Sequence, residues 1–285
     1  MRAAAILGPG ISPEKLRLFQ QTPSITWLPS LPADGRDAEV IVIFGGDGTI
    51  HRHLPQLIEL QLPVLIAPCG SGNDFARALG LRNCSDALAA WLAFVSGNGS
   101  IRTVDLGVIT SETSPSQSHY FCTVGGFGLD SEVARRVNRL PRFVRGHGGY
   151  AFTLPAALTG FRPFRVEASS SKSNRPRRAF LVAFANGPSY GHGMKIAPQA
   201  QLDDGQLDLC IIQDMNKLKL LTLFPSVYFG RHLALQGVES FRAQRIRLEA
   251  DRLLEVYADG EFVCHTPIEA SVASRVLRVI VRPGR

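Results

Sequence analysis

The chain has 285 residues, 45% of them hydrophobic and 19% charged, which excludes a disordered chain and allows one large domain or two ordinary ones. The longest apolar run, Ala87–Val95, is too short to cross a bilayer and nothing at the N-terminus resembles a signal peptide, so we expect a cytoplasmic protein. The net charge of +7 indicates an anionic partner, which could be nucleic acid, a membrane surface or a phosphorylated ligand.

The first hundred residues alternate β-branched runs with stretches of helical spacing, which predicts a sheet with crossover helices. The predicted strands are Ala3–Leu7, Ile25–Leu28, Val40–Phe44 and Val64–Ala67. The predicted helices are Pro13–Gln20 opened by Ser12, Ile50–Glu59, Asp74–Leu79, and Asp86–Val95 capped by Ser85. Because Val40–Phe44 is apolar on both faces, we expect it to be a central parallel strand of an α/β domain.

A glycine loop, Gly45-Gly46-Asp47-Gly48-Thr49, directly follows the predicted central strand and precedes a helix. Its glycines let the backbone approach a ligand closely, and the helix N-terminus presents free N–H groups to a phosphate. Because a bare phosphate would repel Asp47, this carboxylate implies a bridging Mg²⁺ or a role as proton acceptor. The alternative is a plain turn in which Asp47 caps the helix that follows it.

A second loop of small residues, Pro68-Cys69-Gly70-Ser71-Gly72-Asn73-Asp74-Phe75-Ala76, follows the next predicted strand and leads into another helix. Two adjacent strand ends therefore aim backbone donors at one crevice, which suits a nucleotide. The chain contains no P-loop, dinucleotide-binding or protein-kinase motif, so those classes lose their main support.

The chain changes character after the turn Gly97-Asn98-Gly99, where strand-like segments separated by turns predict a mostly β, sandwich-like second domain. A helical insert from Ser131 to about Leu158 interrupts it, and Leu218–Leu235 is a second candidate helix. The predicted strands are Tyr120–Val124, Arg178–Ala185, Leu207–Ile212, Gln244–Glu249, Glu255–Ala258 and Arg275–Val281.

These motifs resemble those of the diacylglycerol kinase catalytic-domain family, which includes bacterial lipid kinases and sphingosine kinases and is distantly related to NAD kinases. The resemblance rests on the two glycine loops and on two later stretches, Ala197–Asp208 and Tyr257–Glu261. It implies an α/β ATP-binding domain at residues 1–104, a β-rich substrate and metal domain at 105–272, and a strand at 273–285 that returns to the first domain. It further implies transfer of the γ-phosphoryl group of ATP, with Mg²⁺, to a hydroxyl of diacylglycerol or a related lipid.

The resemblance also implies the site residues. Those that would bind the nucleotide are Gly45, Gly46, Asp47, Gly48, Thr49, Ser71, Gly72 and Asn73. Those that would hold a structural Mg²⁺ are Asp204 and, through backbone carbonyls, Gln201 and Gln206. The catalytic candidates are Glu261 as acceptor of the hydroxyl proton, Asp259 as its competitor, and Asp47 as organiser of Mg²⁺.

Asp259 has an alternative structural interpretation, and the surroundings of Asp47 predict the effect of replacing it. The dipeptide Asp259-Gly260 is also the ordinary signature of a hairpin turn, which would give Asp259 a structural role. Because the loop around Asp47 consists largely of glycine, we expect Asp47→Ala to abolish phosphoryl transfer and to leave the fold intact.

The chain departs from the family pattern at two places. Only a loop, Pro29–Asp37, fits where the family has a helix, and Ile50-His51-Arg52-His53 follows Thr49 where the family has Asn-Glu. The added positive charge could bind phosphate, or the two histidines could face solvent. Two alternatives therefore stay open: a kinase of a soluble hydroxyl substrate, as NAD kinases are, and a non-catalytic nucleotide-binding regulator.

Five arginines and three aromatic residues lie close together in the helical insert. The segment either docks on an anionic membrane surface, so that a lipid hydroxyl can enter, or forms a solvated basic helix face. The residues are Arg135, Arg136, Arg139, Arg142, Arg145, Phe143, Tyr150 and Phe152. The expected partners are thus ATP and a lipid at a membrane surface, reached peripherally; the motifs disfavour nucleic acid, and a homodimer stays open.

The five cysteines are scattered singly, and no C-x-x-C pair occurs among them. An odd number without paired spacing predicts neither a disulfide framework nor a zinc site. We therefore expect reduced thiols at Cys69, Cys84, Cys122, Cys210 and Cys264.

Overall fold

A computed structural model describes residues 1–139, 149–170 and 173–283 of the chain. The chain divides into two units, of which unit 1 is Met1–Asp105 with Ser274–Arg285 and unit 2 is Leu106–Ala273. None of the described helices is long and apolar enough to cross a membrane.

Unit 1 is an α/β fold on a parallel sheet, as predicted. Its elements are β1 (Arg2–Leu7), α1 (Glu14–Gln20), β2 (Thr26–Leu28), β3 (Val40–Gly45), α2 (Asp47–Leu60), β4 (Val64–Pro68), α3 (Asp74–Ala78), α4 (Cys84–Val95) and the end of β15 (Ile268–Val281). The strand order is β15–β4–β3–β1–β2, and each of these pairings is parallel. Every residue of β3 is buried, as expected of a central strand that is apolar on both faces. The end of β15 supplies the predicted C-terminal strand, with Val279 paired to Val64.

The helices of unit 1 differ from the predictions mainly at their starts. Helix α2 begins at Asp47 rather than Ile50, because the extended Gly46 occupies the N-cap position. Helix α4 is capped by Asn83 and not by Ser85, since the Asn83 side-chain oxygen accepts the N–H of Asp86 at 2.9 Å. The stretch between β2 and β3 contains neither helix nor strand.

Unit 2 is mostly β, also as predicted. Its elements are β5 (Ser100–Ser111), β6 (Ser114–Phe121), β7 (Val124–Gly128), α5 (Leu129–Arg139), α6 (Gly149–Gly160), β8 (Phe164–Ser170), β9 (Ser173–Ala185), β10 (Leu207–Gln213), α7 (Lys217–Tyr228), a 3₁₀ helix (Arg231–Ala234), β11 (Val238–Ala243), β12 (Arg245–Ala250), β13 (Glu255–Ala258), β14 (Glu261–His265) and the start of β15. The order β14–β13–β7–β9–β8–β12–β15 is antiparallel throughout, and β10 pairs with β9 and β11.

Two hydrophobic cores lie on opposite faces of strand β9. Val182 and Phe184 belong to a core built from strands alone, the sandwich interior. Ala183 and Ala185 belong to a second core, in which α5, α6 and α7 cover the other face. Because side chains alternate along a strand, one strand serves both cores.

Two predictions for unit 2 need correction. The expected strand Tyr120–Val124 is broken at Cys122 and Thr123, whose N–H groups donate to the Asp259 side chain. The expected helix Leu218–Leu235 is divided between α7 and the 3₁₀ helix, with Gly230 at a φ of +69° between them.

The predicted insert Ser131–Leu158 contains α5 and α6. Arg142, Phe143 and Arg145, which belong to the predicted basic and aromatic segment, lie outside the described residues, as do the side chains of Tyr150 and Phe152.

Candidate functional site

Asp47 joins the two glycine loops of unit 1. Its Oδ2 accepts the N–H of Asp74 at 3.0 Å, and its Oδ1 accepts the N–H of Phe75 at 3.1 Å. Since these N–H groups belong to the first turn of α3, the carboxylate caps a helix 27 residues further along the chain. The alternative in which Asp47 caps its own helix is wrong, because Gly46 is the N-cap of α2.

The two loops also pack backbone against backbone. A Cβ atom added to Gly70 would lie 2.4 Å from the Cα of Gly46, and one added to Gly46 would lie 2.8 Å from the Cα of Gly70. The N–H of Cys69 donates to the carbonyl of Gly45 at 2.9 Å. Glycine is therefore required at both positions by the close approach of the two chains, which leaves no space for a side chain.

Thr49 lies beneath the first loop. A Cβ atom on Gly45 would lie 2.6 Å from the Cβ of Thr49, and one on Gly8 would lie 2.7 Å from its Oγ1. The N–H of Gly8 also donates to the carbonyl of Phe44 at 2.7 Å. The short N-terminal loop that follows β1 therefore lies beside Gly45 and Thr49.

Asn73 and Arg77 hold the second loop in shape. Asn73 has a φ of +55°, and its side chain exchanges two hydrogen bonds with the backbone of Gly70, at 2.9 and 2.7 Å. Arg77 donates to the Asp74 carboxylate at 2.6 Å and to the carbonyl of Gly72 at 2.8 Å. The Ser71 side chain, in contrast, is exposed, so a ligand at this loop can reach its hydroxyl.

Asp259 and Gly260 form the turn between β13 and β14. Both have positive φ, +50° and +87°, as a tight hairpin turn requires. The Asp259 carboxylate accepts the N–H of Cys122 at 2.7 Å and both the N–H and the hydroxyl of Thr123, at 2.9 and 2.7 Å. Asp259 thus attaches the hairpin to the break between β6 and β7, whereas Glu261, the first residue of β14, is exposed.

Asp204 lies in a cluster of charged side chains with Asp208 and Arg242. Its Oδ1 accepts the N–H of Gln206 at 3.1 Å, while its buried Oδ2 accepts a hydrogen bond from no described residue. The Arg242 guanidinium lies 3.6 Å from that Oδ2, donates to Asp208 at 3.0 Å and donates to the carbonyl of Gln199 at 3.0 Å. Burial raises the pKa of Asp208, against the opposing effect of Arg242.

The predicted Mg²⁺ ligands fit a hard divalent cation. They supply oxygen atoms alone, the ligands that Mg²⁺ prefers, and the buried Oδ2 of Asp204 accepts no hydrogen bond from a described residue, although Arg242 lies 3.6 Å away. Gln201 is exposed and Gln206 half-buried. Among the described residues there is no group of three or more His, Cys, Asp or Glu side chains that could hold a metal, so the set depends on one carboxylate.

A small, mostly apolar cavity of about 40 Å³ lies among α5, α6, α7, β9 and β10 of unit 2. Among its lining residues, Tyr190 and Asp130 are polar, and the Tyr190 hydroxyl donates to the buried Asp130 carboxylate at 2.7 Å. The sequence does not reveal this cavity, because its lining residues are dispersed over several elements and have the apolar pattern of an ordinary hydrophobic core. The buried acid in Leu129-Asp130-Ser131, at the start of an amphipathic helix, is the one local signal.

The described arginines of the basic segment differ in their surroundings. Arg135 and Arg136 both pair with Glu132, at 2.6 and 2.7 Å, within helix α5. Asn138 of the same helix donates to the carbonyl of Gly260 at 2.9 Å, so α5 contacts the hairpin turn. Part of the positive charge predicted for membrane docking is therefore neutralised locally.

Two family models match the chain. The diacylglycerol kinase catalytic domain matches residues 30–109, and the YegS C-terminal NAD kinase beta sandwich-like domain matches residues 123–281. A protein named diacylglycerol kinase from Mycobacterium tuberculosis H37Rv is 35% identical over 250 residues, which cover 87% of this chain and 78% of the relative. A protein of the same name from Bacillus subtilis is 28% identical and covers 86% and 78%.

The structure has a solved counterpart of similar fold, a diacylglycerol kinase from Bacillus anthracis. The two superpose with a TM-score of 0.70 over 99% of this chain and 97% of that chain. At 20% sequence identity, this likeness shows a shared fold.

Proposed function

The chain belongs to the diacylglycerol kinase catalytic-domain family and is a lipid kinase, and we propose that it transfers the γ-phosphoryl group of ATP, with Mg²⁺, to a hydroxyl of diacylglycerol. The observation that carries the proposal is the contact between the two glycine loops, which Asp47 joins. Backbone N–H groups at the start of the 14-residue helix α2 are available there to a phosphate.

In this proposal, the ATP phosphates lie against Gly45–Thr49 and Ser71–Asn73 in unit 1. Asp47 contributes chiefly by holding the two loops together, since each of its oxygens accepts a backbone N–H. We keep Asp47 as the organiser of Mg²⁺, because the ionised carboxylate carries negative charge at the loop that would hold the phosphates. The exposed Ser71 hydroxyl and the backbone of the loops complete the contacts.

We assign the proton acceptor to Glu261. Phosphoryl transfer to an alcohol needs a carboxylate that can take the hydroxyl proton, and Glu261 is exposed at the start of β14. The competing candidate, Asp259, already accepts three hydrogen bonds with its two oxygens. Asp259 therefore positions the turn that carries Glu261.

Asp204, with the backbone carbonyls of Gln201 and Gln206, would hold a structural Mg²⁺ in unit 2. The buried Oδ2 of Asp204 supports this assignment, and Arg242 is the competing positive charge. When bound with ATP, Mg²⁺ neutralises negative charge that develops on the phosphates.

The lipid assignment draws on the cavity of unit 2. Its lining is almost entirely apolar, which matches the chemistry of an acyl chain. The Asp130 carboxylate and Tyr190 hydroxyl offer hydrogen bonds to a glycerol hydroxyl beside it. Diacylglycerol is the acceptor named for the 35%-identical relative.

The test is an assay with [γ-³²P]ATP, in which diacylglycerol, sphingosine and NAD are offered separately, with and without Mg²⁺. We expect label in diacylglycerol, dependent on Mg²⁺ and increased when anionic phospholipid is added to the vesicles. Label in NAD would instead support a kinase of a soluble substrate. ATP binding without transfer to any of the acceptors would support a non-catalytic regulator, and both results would contradict the proposal.

A further inference from the structure

Helix α7 of unit 2 has an outer face without charge. Four exposed residues lie four, three and four positions apart, which places them on one side of the helix: Leu218, Thr222, Pro225 and Phe229. We call these four residues the outer stripe. Leu218 is 72% exposed and Phe229 is 71% exposed, and with Leu253 they are the most exposed large hydrophobic residues of the described chain.

The opposite face of α7 is buried. Leu220, Leu223 and Val227 belong to the helix-covered core, and all three line the cavity. A helix that covers a core ordinarily presents charged residues to water on its other side. The outer stripe departs from this pattern at both of its ends, which indicates that something other than water covers it.

The chain around α7 is positively charged. No acidic residue occurs between Asp214 and Glu239, whereas three basic residues do: Lys217, Lys219 and Arg231. Lys217 donates to the carbonyl of Thr159 at 2.9 Å, and Lys219 donates to that of Gln236 at 3.2 Å. Because these acceptors are uncharged, they position the two ammonium groups without neutralising them.

The acidic residues at the two limits of this segment are already paired. Asp214 lies 3.2 Å from the guanidinium of Arg178, and Glu239 pairs with Arg177. On helix α5, in contrast, two arginines pair with Glu132 of their own helix. Positive charge is therefore balanced on α5 and left unbalanced around α7.

Basic side chains also stand at the C-terminal end of α7. The Arg231 guanidinium lies 6.0 Å from the centre of the Phe229 ring. Lys195 is exposed, and its backbone N–H donates to the carbonyl of Val227 at 3.0 Å. Exposed apolar side chains flanked by lysine and arginine are typical of a helix that lies at the boundary between lipid headgroups and acyl chains.

We propose that α7 docks on a bilayer of anionic phospholipid through the outer stripe. Leu218 and Phe229 enter the boundary between headgroups and acyl chains, and the surrounding lysines and Arg231 bind the lipid phosphates. Because the other face of α7 lines the cavity, docking brings the cavity within one helix diameter of the bilayer. A lipid substrate then reaches the cavity directly from the bilayer, a consequence that rests on the proposed function.

Co-sedimentation of the full chain with vesicles tests the apolar contribution. The vesicles contain phosphatidylcholine alone, or phosphatidylcholine and phosphatidylglycerol in equal parts. We expect binding to the anionic vesicles that weakens as NaCl is added. The double variant Leu218→Ser with Phe229→Ser should bind these vesicles about tenfold more weakly or worse, whereas Leu253→Ser, at an equally exposed leucine, should bind as the wild type. Equal losses in the double variant and in Leu253→Ser would overturn the proposal.

A second pair of variants tests the charges. Lys219→Gln with Arg231→Gln should lose about tenfold or more in affinity for the anionic vesicles. The control is Arg245→Gln with Arg247→Gln, which removes the same charge from arginines that pair with glutamates and should bind as the wild type. Equal losses in the two pairs would show that net charge alone drives binding, which contradicts a specific surface.

A tryptophan in the outer stripe reports directly where the stripe lies. In anionic vesicles that contain brominated phosphatidylcholine, the fluorescence of Phe229→Trp should be quenched beyond the wild-type background, and that of Leu253→Trp should not. Equal quenching of both variants, or none in either, would overturn the proposal. Dimers that Leu218→Ser with Phe229→Ser disperses, in a chain that binds no vesicles, would assign the stripe to a second copy and equally overturn it.

The docking proposal and the proposed function fail separately. If the chain binds anionic vesicles through α7 but transfers no phosphoryl group to diacylglycerol, the docking surface stands and the proposed function fails. If the chain phosphorylates diacylglycerol in detergent but binds no vesicles, the proposed function stands and the docking surface fails.

Discussion

The glycine loops of unit 1 and the hairpin turn of unit 2 are built on the same device. In each, an aspartate accepts the backbone N–H groups of two consecutive residues that lie far away in the sequence, 27 residues from Asp47 and 136 residues from Asp259. The regions differ in what stands beside that aspartate. Next to Asp259 the hairpin carries an exposed glutamate, Glu261, whereas the residues around Asp47 offer backbone and hydroxyl groups.

This difference distinguishes a carboxylate that stabilises a loop from one that can take part in proton transfer. A carboxylate whose oxygens both accept backbone N–H groups stabilises a loop, and the bonds it makes are lost if it takes up a proton. A carboxylate in solvent can accept a proton without loosening the fold. Under the proposed function, Asp47 and Asp259 therefore stabilise their regions, and Glu261 is the proposed proton acceptor.

The largest expected effect is that of Glu261→Gln on turnover. The amide cannot accept the hydroxyl proton, so kcat should fall by about 10²- to 10⁴-fold. Because Glu261 is exposed, the melting temperature should match that of the wild type. Glu167→Gln, at an exposed glutamate of β8, is the control and should leave kcat within twofold. Near-normal kcat in Glu261→Gln would move the proton acceptor elsewhere.

The next effect is that of Asp259→Ala on stability. The substitution removes three hydrogen bonds and leaves the N–H groups of Cys122 and Thr123 without their acceptor. We expect the free energy of unfolding, measured with urea, to fall by about 3 kcal/mol. A loss below about 0.5 kcal/mol would mean that the hairpin does not need this attachment.

Asp47→Ala should cost less stability, because it removes two of the described hydrogen bonds and not three. We expect a loss of about 2 kcal/mol in unfolding free energy together with weaker ATP binding, as the second loop separates from the first. The sequence alone predicts an intact fold and loss of phosphoryl transfer for this variant; the two N–H groups of α3 add an expected loss of stability. Asp47→Asn keeps one acceptor oxygen and should lie between the alanine variant and the wild type. Wild-type stability in Asp47→Ala would refute the bridge.

The smallest effect on stability is a reference for the two larger stability effects. Asn83 caps α4 with one hydrogen bond, to the N–H of Asp86, and lies outside both regions compared above. Asn83→Ala should therefore cost about 1 kcal/mol and leave kcat unchanged. A loss of unfolding free energy as large as that of Asp259→Ala would show that the loss of one helix cap is enough to explain the larger effects.

The sequence predicts the elements that periodicity and turn chemistry govern. The buried strand Val40–Phe44 and the turn Asp259-Gly260 lie where the patterns indicate, whereas helix α2 begins three residues early, at Asp47. Each depends on residues adjacent in the chain, so local pattern is enough.

The partners of the motif carboxylates could not be predicted in the same way. Asp47 and Asp259 accept hydrogen bonds from backbone N–H groups, which every residue except proline carries. The residue types in the sequence therefore do not show which N–H groups these carboxylates bind. The pair Asp130 and Tyr190 likewise arises from packing between residues distant in sequence. The break at Cys122 and Thr123 has the same origin, since Asp259 attaches there.

The most direct test of this account compares phosphoryl transfer to diacylglycerol by Asp259→Asn and Glu261→Gln in one assay. Asparagine tolerates the positive φ of position 259 and keeps one acceptor oxygen, so both variants should be folded. The assay is run about 10 to 20 °C below the wild-type melting temperature, where a loss of a few kcal/mol leaves the chain folded. We predict that Asp259→Asn keeps kcat within about tenfold of the wild type while Glu261→Gln loses about 100-fold or more. The reverse order, with Asp259→Asn inactive although folded and Glu261→Gln active, would contradict the assignment of a structural role to Asp259 and of proton acceptance to Glu261.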